Sequence, residues 1–480
     1  MKKTAQFLAL ALCLGSSTAY ADSSDQMMSM LEGLKQQMGR MQETINQQSM
    51  RIQQLESRTV LETPQPNVPV SPSSGATISD VDMVIPWLKG AKYGGDFRLR
   101  YEAFEYYDKD NDAGSTGTSA DRTRNRFRIR LRWGFEKDYF DDWKVGFRLA
   151  TGSTTDPNST NQTLGNSGYF NFKNFLVDRA YAIYEPNGLK DYGLLKGVKV
   201  GAGKVDNPFL RYSTGIVWDS DVTPEGIYEQ ANIGLISTEE NKLNLQLTTG
   251  QFIVNENAAV ESDAALYGYQ GAASWSTYNF GTDQPVVFSA GVSFYDYTNW
   301  FQTVLAANNT ASTSYLRTNS ILADDFHVLD IYPEVQFALN GWPVTLWYDY
   351  ATNTANVGTE DVLQSLNNDI HDSDEAWGTG FKIGKAKKKD SWEFFYGYYE
   401  IGANAVVAAF NDSDFGGPGT NGFTNRKGHK FGLGYQLTDS IVVNWTGYLV
   451  RPLNPNPSAI LANSTNEDMF RSQLDLSYKF

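Results

Sequence analysis

The sequence predicts an all-β transmembrane barrel of about sixteen antiparallel strands, preceded by a short N-terminal coiled-coil helix. Three observations predict the barrel. From Tyr93 to the end, amphipathic segments of about ten residues are joined alternately by brief and by long connections. Mean hydropathy is low, −0.42, yet Tyr, Phe, Trp and Gly are abundant, as a barrel with a wet interior requires. The stretch from Arg122 to Phe135 places Arg122, Arg124, Arg126, Arg128, Arg130 and Arg132 at period two. Between them run Thr123, Asn125, Phe127, Ile129, Leu131, Trp133 and Phe135. Period two is the repeat of a β-strand, with one charged and one apolar face. A soluble sheet would turn the apolar face to a core, whereas an outer-membrane barrel turns it to lipid and the arginines to water. One strand fits both, so the rest of the chain decides.

Residues 1–21 read as a secretory signal peptide: Lys2 and Lys3, an apolar run from Phe7 to Leu14, and Ala19-Tyr20-Ala21 as the cleavage site. Cys13, the one cysteine, lies inside it, so the mature chain has neither disulfides nor thiolate chemistry. Removing Lys2 and Lys3 takes the formal charge from −15 to −17, which argues against a nucleic-acid partner. No other apolar stretch is long enough for a membrane helix.

Residues 22–62 are expected to form a periplasmic coiled coil. Leu31, Leu34, Met38, Met41, Ile45, Ile52 and Leu55 keep one heptad frame, with Gln48 at the remaining position. A trimer would suit a trimeric barrel, and peptidoglycan or another periplasmic component is the expected contact. A single amphipathic helix docked on the barrel is the alternative. Residues 63–92 form a linker carrying Pro64, Pro66, Pro69 and Pro72. The barrel is assigned to residues 93–480.

Its strands are placed at 95–107, 123–136, 142–152, 175–185, 196–205, 225–235, 242–252 and 265–277, then at 285–297, 326–339, 343–354, 375–386, 391–402, 427–437, 440–451 and 469–480. An even number keeps both barrel ends on the periplasmic side. The last segment alternates cleanly: Phe470, Leu474, Leu476, Tyr478 and Phe480 oppose Arg471, Gln473, Asp475 and Lys479. Leu243, Leu245 and Leu247 oppose Asn244, Gln246 and Thr248, and Trp377, Phe381 and Ile383 oppose Gly378, Gly380 and Lys382. Around Asp178, Arg179 and Tyr181 the faces cannot be assigned. Aromatics such as Trp392, Tyr396, Trp445 and Tyr478 are expected in interfacial girdles.

Several stretches resemble the family of putative porins of Gram-negative bacteria. They are Gly-Asp-Phe-Arg-Leu-Arg-Tyr-Glu (95–102), Asp-Arg-Thr-Arg-Asn-Arg-Phe-Arg-Ile-Arg-Leu-Arg (121–132), Asp-Arg-Ala-Tyr (178–181), Gly-Lys-Val-Asp-Asn-Pro-Phe (203–209) and Trp-Asp-Ser-Asp (218–221). The resemblance covers most of the chain and implies a 16-stranded trimeric channel in the outer membrane. It implies passage of small hydrophilic solutes or ions, without naming one.

Alternation places Arg98, Arg100, Arg124, Arg126, Arg128, Arg130, Arg132, Lys144 and Arg148 on the lumen side. The arginine run spans about 34 Å and would focus positive potential, favouring anions. Alternatively, lumen carboxylates such as Glu102 pair with it and leave little net field. The loop from Asn207 to Pro224 holds Trp218, Asp219 and Asp221. By resemblance to general porins it folds inward, setting both aspartates across from the arginines. An exposed loop is the other reading.

Other motifs point to no cofactor, metal or catalytic site. Asp108 to Ser119 begins like a calcium loop but has Ala113 and Ser119 where Gly and Glu belong. His327 and His429 lack ligand spacing, and Lys385, Lys387, Lys388 and Lys389 crowd a turn. A hydrolase centred on His371-Asp372-Ser373 would need an oxyanion site that the sequence does not offer. The structural alternative is an envelope tether in which the barrel merely anchors the stalk.

Overall fold

The computed structural model describes residues 89–108, 122–140, 142–154, 156–166, 168–256, 263–281, 284–300, 319, 325–355, 374–416, 424–453 and 467–480. The signal peptide, the coiled coil, the linker of 63–92 up to residue 88, and His371 lie outside these residues.

Strands in chain order are β1 (Lys92–Asp108), β2 (Arg122–Tyr139), β3 (Trp143–Thr151), β4 (Gln162–Thr163), β5 (Phe175–Tyr184), β6 (Leu195–Lys204), β7 (Glu225–Ser237), β8 (Asn241–Asn255) and β9 (Ala264–Thr277). They continue as β10 (Val286–Thr298), β11 (Phe326–Leu339), β12 (Trp342–Asn353), β13 (Glu375–Gly384), β14 (Trp392–Ile401), β15 (Arg426–Gln436), β16 (Ile441–Pro452) and β17 (Glu467–Lys479). Leaving aside the two-residue β4, sixteen strands pair antiparallel in one ring, and β1 closes it by pairing with both β2 and β17. Each sequence-placed segment overlaps one of these strands. At the seam Gly95 and Phe480 exchange backbone hydrogen bonds of 2.9 and 3.2 Å. A Cβ at Gly95 would lie 2.9 Å from the Phe480 ring, so only glycine admits that aromatic.

The connections differ by end. Turns at 140–142, 238–240, 340–341 and 437–440 are short, while those at 205–224, 299–325 and 402–425 are long. By the pattern of outer-membrane barrels the short turns are periplasmic and the long loops external. Aromatic pairs gather near the short-turn end: Trp342 with Trp392 at 4.6 Å between ring centroids, Trp143 with Tyr184 at 4.8 Å, and Trp275 with Phe288 at 5.6 Å. They form the girdle expected where rings meet headgroups.

Alternation sorts the side chains as the sequence implies. On β17 Leu474, Leu476 and Tyr478 are exposed outward while Arg471, Gln473 and Asp475 are buried inward. On β1 Phe97, Leu99 and Tyr101 are exposed, and Arg100, Glu102 and Phe104 are buried. The ambiguous fifth strand has a structural cause. Arg148 pairs with Arg179 but Leu149 pairs with Val177, so Asp178 is an extra residue. This bulge turns both Asp178 and Arg179 inward, where they meet Arg148 and Asp206 respectively.

Candidate functional site: the lumen constriction

The basic wall starts as an electrostatic conflict. In register, Arg98 faces Arg130 and Arg100 faces Arg128, and like charges directly opposite destabilise a sheet. Carboxylates threaded between them relieve it. Asp96 bridges Arg130 and Arg132, each at 2.7 Å. Asp475 of β17 accepts two parallel bonds from Arg100, at 2.7 and 2.8 Å. Glu102, with no exposed surface, gathers Arg126, Arg471 (2.5 Å) and the Gln473 amide (2.8 Å). Such fork-to-carboxylate pairs fix geometry as well as charge.

Three external segments turn into the lumen against this wall: 156–161, 205–224 and 402–416. They bond to one another. Asp219 N donates to Phe410 O at 2.6 Å, and Asp412 N to Gly215 O at 2.9 Å. Asn158 Nδ2 donates to Asn411 O at 3.0 Å, and Thr160 donates from N and Oγ1 to Asp221 Oδ2 at 3.2 and 3.0 Å. They also bond to the wall: Arg471 to Asp414 at 2.5 Å, Arg100 to Asp414 at 3.1 Å, Lys430 to Asp412 at 2.6 Å. Across the lumen, Thr214 donates from N and Oγ1 to Asp349 of β12 at 3.1 and 2.5 Å.

The 205–224 segment has two sides. Phe209, Ile216, Val217 and Trp218 are buried against Phe252, Tyr295, Tyr297 and Trp300, and Trp218 stacks on Phe410 at 5.7 Å. Phe209 sits on β8 and β9 where a Cβ at Gly250 or Gly268 would approach its ring to 3.2 or 2.6 Å. Glycine on adjacent strands thus makes the trough that seats the segment.

The opposite side presents carboxylates. Asp221 Oδ1 lies 3.6 Å from Arg132 Nη1. Burial pushes the Asp221 carboxyl up, but Arg130, Arg132 and Arg98 outweigh it and hold the group below the usual aspartate range. Asp219 moves the other way: burial first, then the neighbouring Asp221 and Asp412 charges, push its carboxyl well above that range. Asp414, buried between Arg471 and Arg100, is held well below it.

A cavity of about 330 Å³ remains between wall and segments, lined among others by Arg98, Arg130, Asn161, Asp221, Asp414 and Lys430. A second, of about 340 Å³, lies over Trp218, Val222, Phe252, Leu266 and Phe410. The sequence-selected residues distribute as follows. Arg98, Arg100, Arg126, Arg128, Arg130 and Arg132 stand in the wall beside Trp218, Asp219 and Asp221. Arg124 is exposed nearer the long-loop end, and Arg148 is taken by Asp178. Sequence reading missed Asp96, Asp414 and Lys430, and the entire 402–416 segment. Its one signal was Ala405-Val406-Val407-Ala408-Ala409-Phe410, an apolar run with no reason to stand in a hydrated loop. His327 Nε2 lies 3.3 Å from Asp296, and His429 Nδ1 lies 2.8 Å from the Tyr396 hydroxyl. Among the described residues no group of three or more His, Cys, Asp or Glu side chains is placed to hold a metal.

A family model described as "Putative porin" matches residues 79–320 and 301–449 of the chain. Among solved structures the chain is similar to Salmonella typhi OmpF in complex with daunomycin, with a TM-score of 0.43 and 11% identity over 82% of this chain and 98% of that one. It is similar to Pseudomonas putida OprB at high pH, with a TM-score of 0.43 and 13% identity over 84% and 97% of the two chains. A mutant of the Rh. blastica porin gives a TM-score of 0.36 and 11% identity over 81% and 100%. No curated protein matches it.

Proposed function

The chain belongs to the porin family whose model it matches, and we propose that it passes small hydrophilic solutes and ions by diffusion, with a preference for anions. The observation that carries this reading is the polar cavity of about 330 Å³ left between the arginine wall and the inward segments of a closed barrel. Solutes threading it meet guanidinium on one side and carboxylate on the other, so size and charge select together. No step requires a cofactor. In this reading three barrels assemble side by side in the outer membrane, and residues 22–62 form a trimeric periplasmic stalk that contacts peptidoglycan.

The test is single-channel recording of the full mature protein in a planar bilayer across a salt gradient. Steps closing in threes with an anion-selective reversal potential are expected. Cation selectivity would overturn the sign of the preference and keep the channel. Silence from a correctly folded barrel would favour an envelope tether, a second reading supported by the apolar packing of 205–224 and 402–416 inside the lumen.

A further inference from the structure

Two arginines of the wall lack what all their neighbours have. Arg98 stands between Arg130 of β2 and Ser477 of β17, and Arg128 stands between Arg100 of β1 and Thr163 of β4. Neither faces an acid across the sheet. Elsewhere along this wall Arg100 holds Asp475 and Asp414, Arg126 and Arg471 hold Glu102, and Arg130 and Arg132 hold Asp96. The carboxylates within reach of the two exceptions lie at 3.7 Å (Asp475 from Arg98) and 4.0 Å (Glu102 from Arg128), and both are already engaged.

Beyond these two long ion pairs, the hydrogen bonds of Arg98 and Arg128 go to neutral groups. Arg98 Nη2 donates to Asn161 Oδ1 at 2.6 Å. Arg128 Nη2 donates to Asn161 O and Ser159 Oγ, both at 3.3 Å. The Nε atoms of both arginines are buried without a hydrogen-bond partner among the described residues. Bonded to an amide, a hydroxyl and a main-chain carbonyl, with no carboxylate nearer than 3.7 Å, the two guanidiniums leave their strongest interaction, the close charge-assisted pair, unmade. Asn161 and Arg98 both line the cavity of about 330 Å³, so a solute entering it reaches this contact.

We propose that Arg98, with the Arg128 charge behind it, forms an oxyanion site whose resting occupant is the Asn161 carboxamide, and that a carboxylate or phosphate group of a small passing solute displaces that carboxamide. This rests on the channel reading and names the chemistry that the channel favours. The loosely matched charge makes the site. The neutral occupant keeps it reversible, because an anion gains a charged partner that the amide could not supply.

The test measures single-channel chloride conductance of the full mature protein as acetate or inorganic phosphate is added, alongside calorimetric binding of the same ions. A saturable fall in chloride conductance is expected, with Arg98→Gln weakening the apparent affinity by about tenfold or more, as loss of a charge-assisted bond implies. Arg98→Lys should retain part of it. Asn161→Asp should abolish saturation by tethering a carboxylate where the ion would sit. Because that substitution adds an ion pair, it covers the case in which Arg98→Gln fails to assemble. Stronger block by phosphate or by acetate identifies which oxyanion the site prefers, and either supports it. A conducting channel with no saturation, or with equal affinity in wild type and Asn161→Asp, overturns the site and keeps the channel. A silent barrel that binds phosphate in the wild type but not in Asn161→Asp overturns the channel and keeps the site.

Discussion

The two sides of the lumen are built from the same inward segment by opposite means. Toward β8, β9 and β10 the 205–224 stretch is held by packing: Phe209 makes edge contacts with Phe252 and Tyr295 at 6.4 and 5.3 Å, over the glycine trough. Toward β1 and β2 it is held by charge, through Asp221 and Arg132 at 3.6 Å, in a wall where almost every guanidinium is matched. The apolar side is a small hydrophobic core placed inside a barrel. It carries no field and sets how much of the lumen is filled. The charged side is a compensated lattice, and in the proposed channel it is the side that would set the sign of what passes. In the proposed channel a single loop would therefore separate size selection from charge selection, and each side is open to its own perturbation.

The heaviest blow to the apolar side is Phe209→Ala. The ring is fully buried, and large-to-small changes at such sites cost about 3–5 kcal/mol. Urea-unfolding midpoints in lipid vesicles should fall accordingly. With its seat empty the segment should stand less far into the lumen, so single-channel conductance should rise while the reversal potential stays put. Unchanged conductance despite lost stability would mean that the hydrogen bonds to Phe410, Asp412 and Asp349 hold the segment without the aromatic core.

On the charged side the matching change is Glu102→Gln. This carboxylate serves Arg126 and Arg471, and removing one member of a buried ionic cluster leaves the others uncompensated, at about 3 kcal/mol. The reversal potential should move toward anions, most visibly at low ionic strength where screening is weak. Conductance in the wide-open state should change little. If instead conductance rises as it does in Phe209→Ala, the division of labour between the two sides fails.

The sequence exposed one side far better than the other. Alternation names the lumen face of β1, β2 and β17 residue by residue, and a Gly-Asp-Phe-Arg-Leu-Arg-Tyr-Glu run shows arginine and acid together at once. Strand count was legible for the same reason, since a period of two survives any register. Pairing was not, because which acid meets which arginine depends on β1 lying between β2 and β17, a closure between residues 375 positions apart for Arg100 and Asp475. The 402–416 segment was opaque because a loop that packs inward obeys no period. Only its composition, Ala405 to Phe410, departs from that of a hydrated loop. The bulge at Asp178 defeated alternation outright by adding one residue to a face.

The subtlest test lies where the two sides meet, at Asp219 and Asp221. Asp219 is pushed well above the usual aspartate range by burial and by its Asp221 and Asp412 neighbours, so it keeps its proton where ordinary aspartates have lost theirs. Its contribution to the packed segment is fully present below the unfolded value and fades as pH rises through the raised one. Asp221 is lowered from 3.8, because the guanidiniums of Arg130, Arg132 and Arg98 outweigh its burial. Its contribution is present above the unfolded value and fades only as pH falls through the lowered one. Raising pH from mildly acid to alkaline should therefore add one negative charge at Asp219, move the reversal potential toward cations and loosen the segment. Lowering it below the ordinary aspartate range should remove charge from Asp221 and move the potential toward anions. A single charge in so compensated a wall is worth about twofold or less in permeability ratio. Asp219→Asn should flatten the alkaline arm and leave the acid arm intact. Identical titrations in the variant and the wild type would place the alkaline charge elsewhere and leave the seam between the two sides without a titrating group.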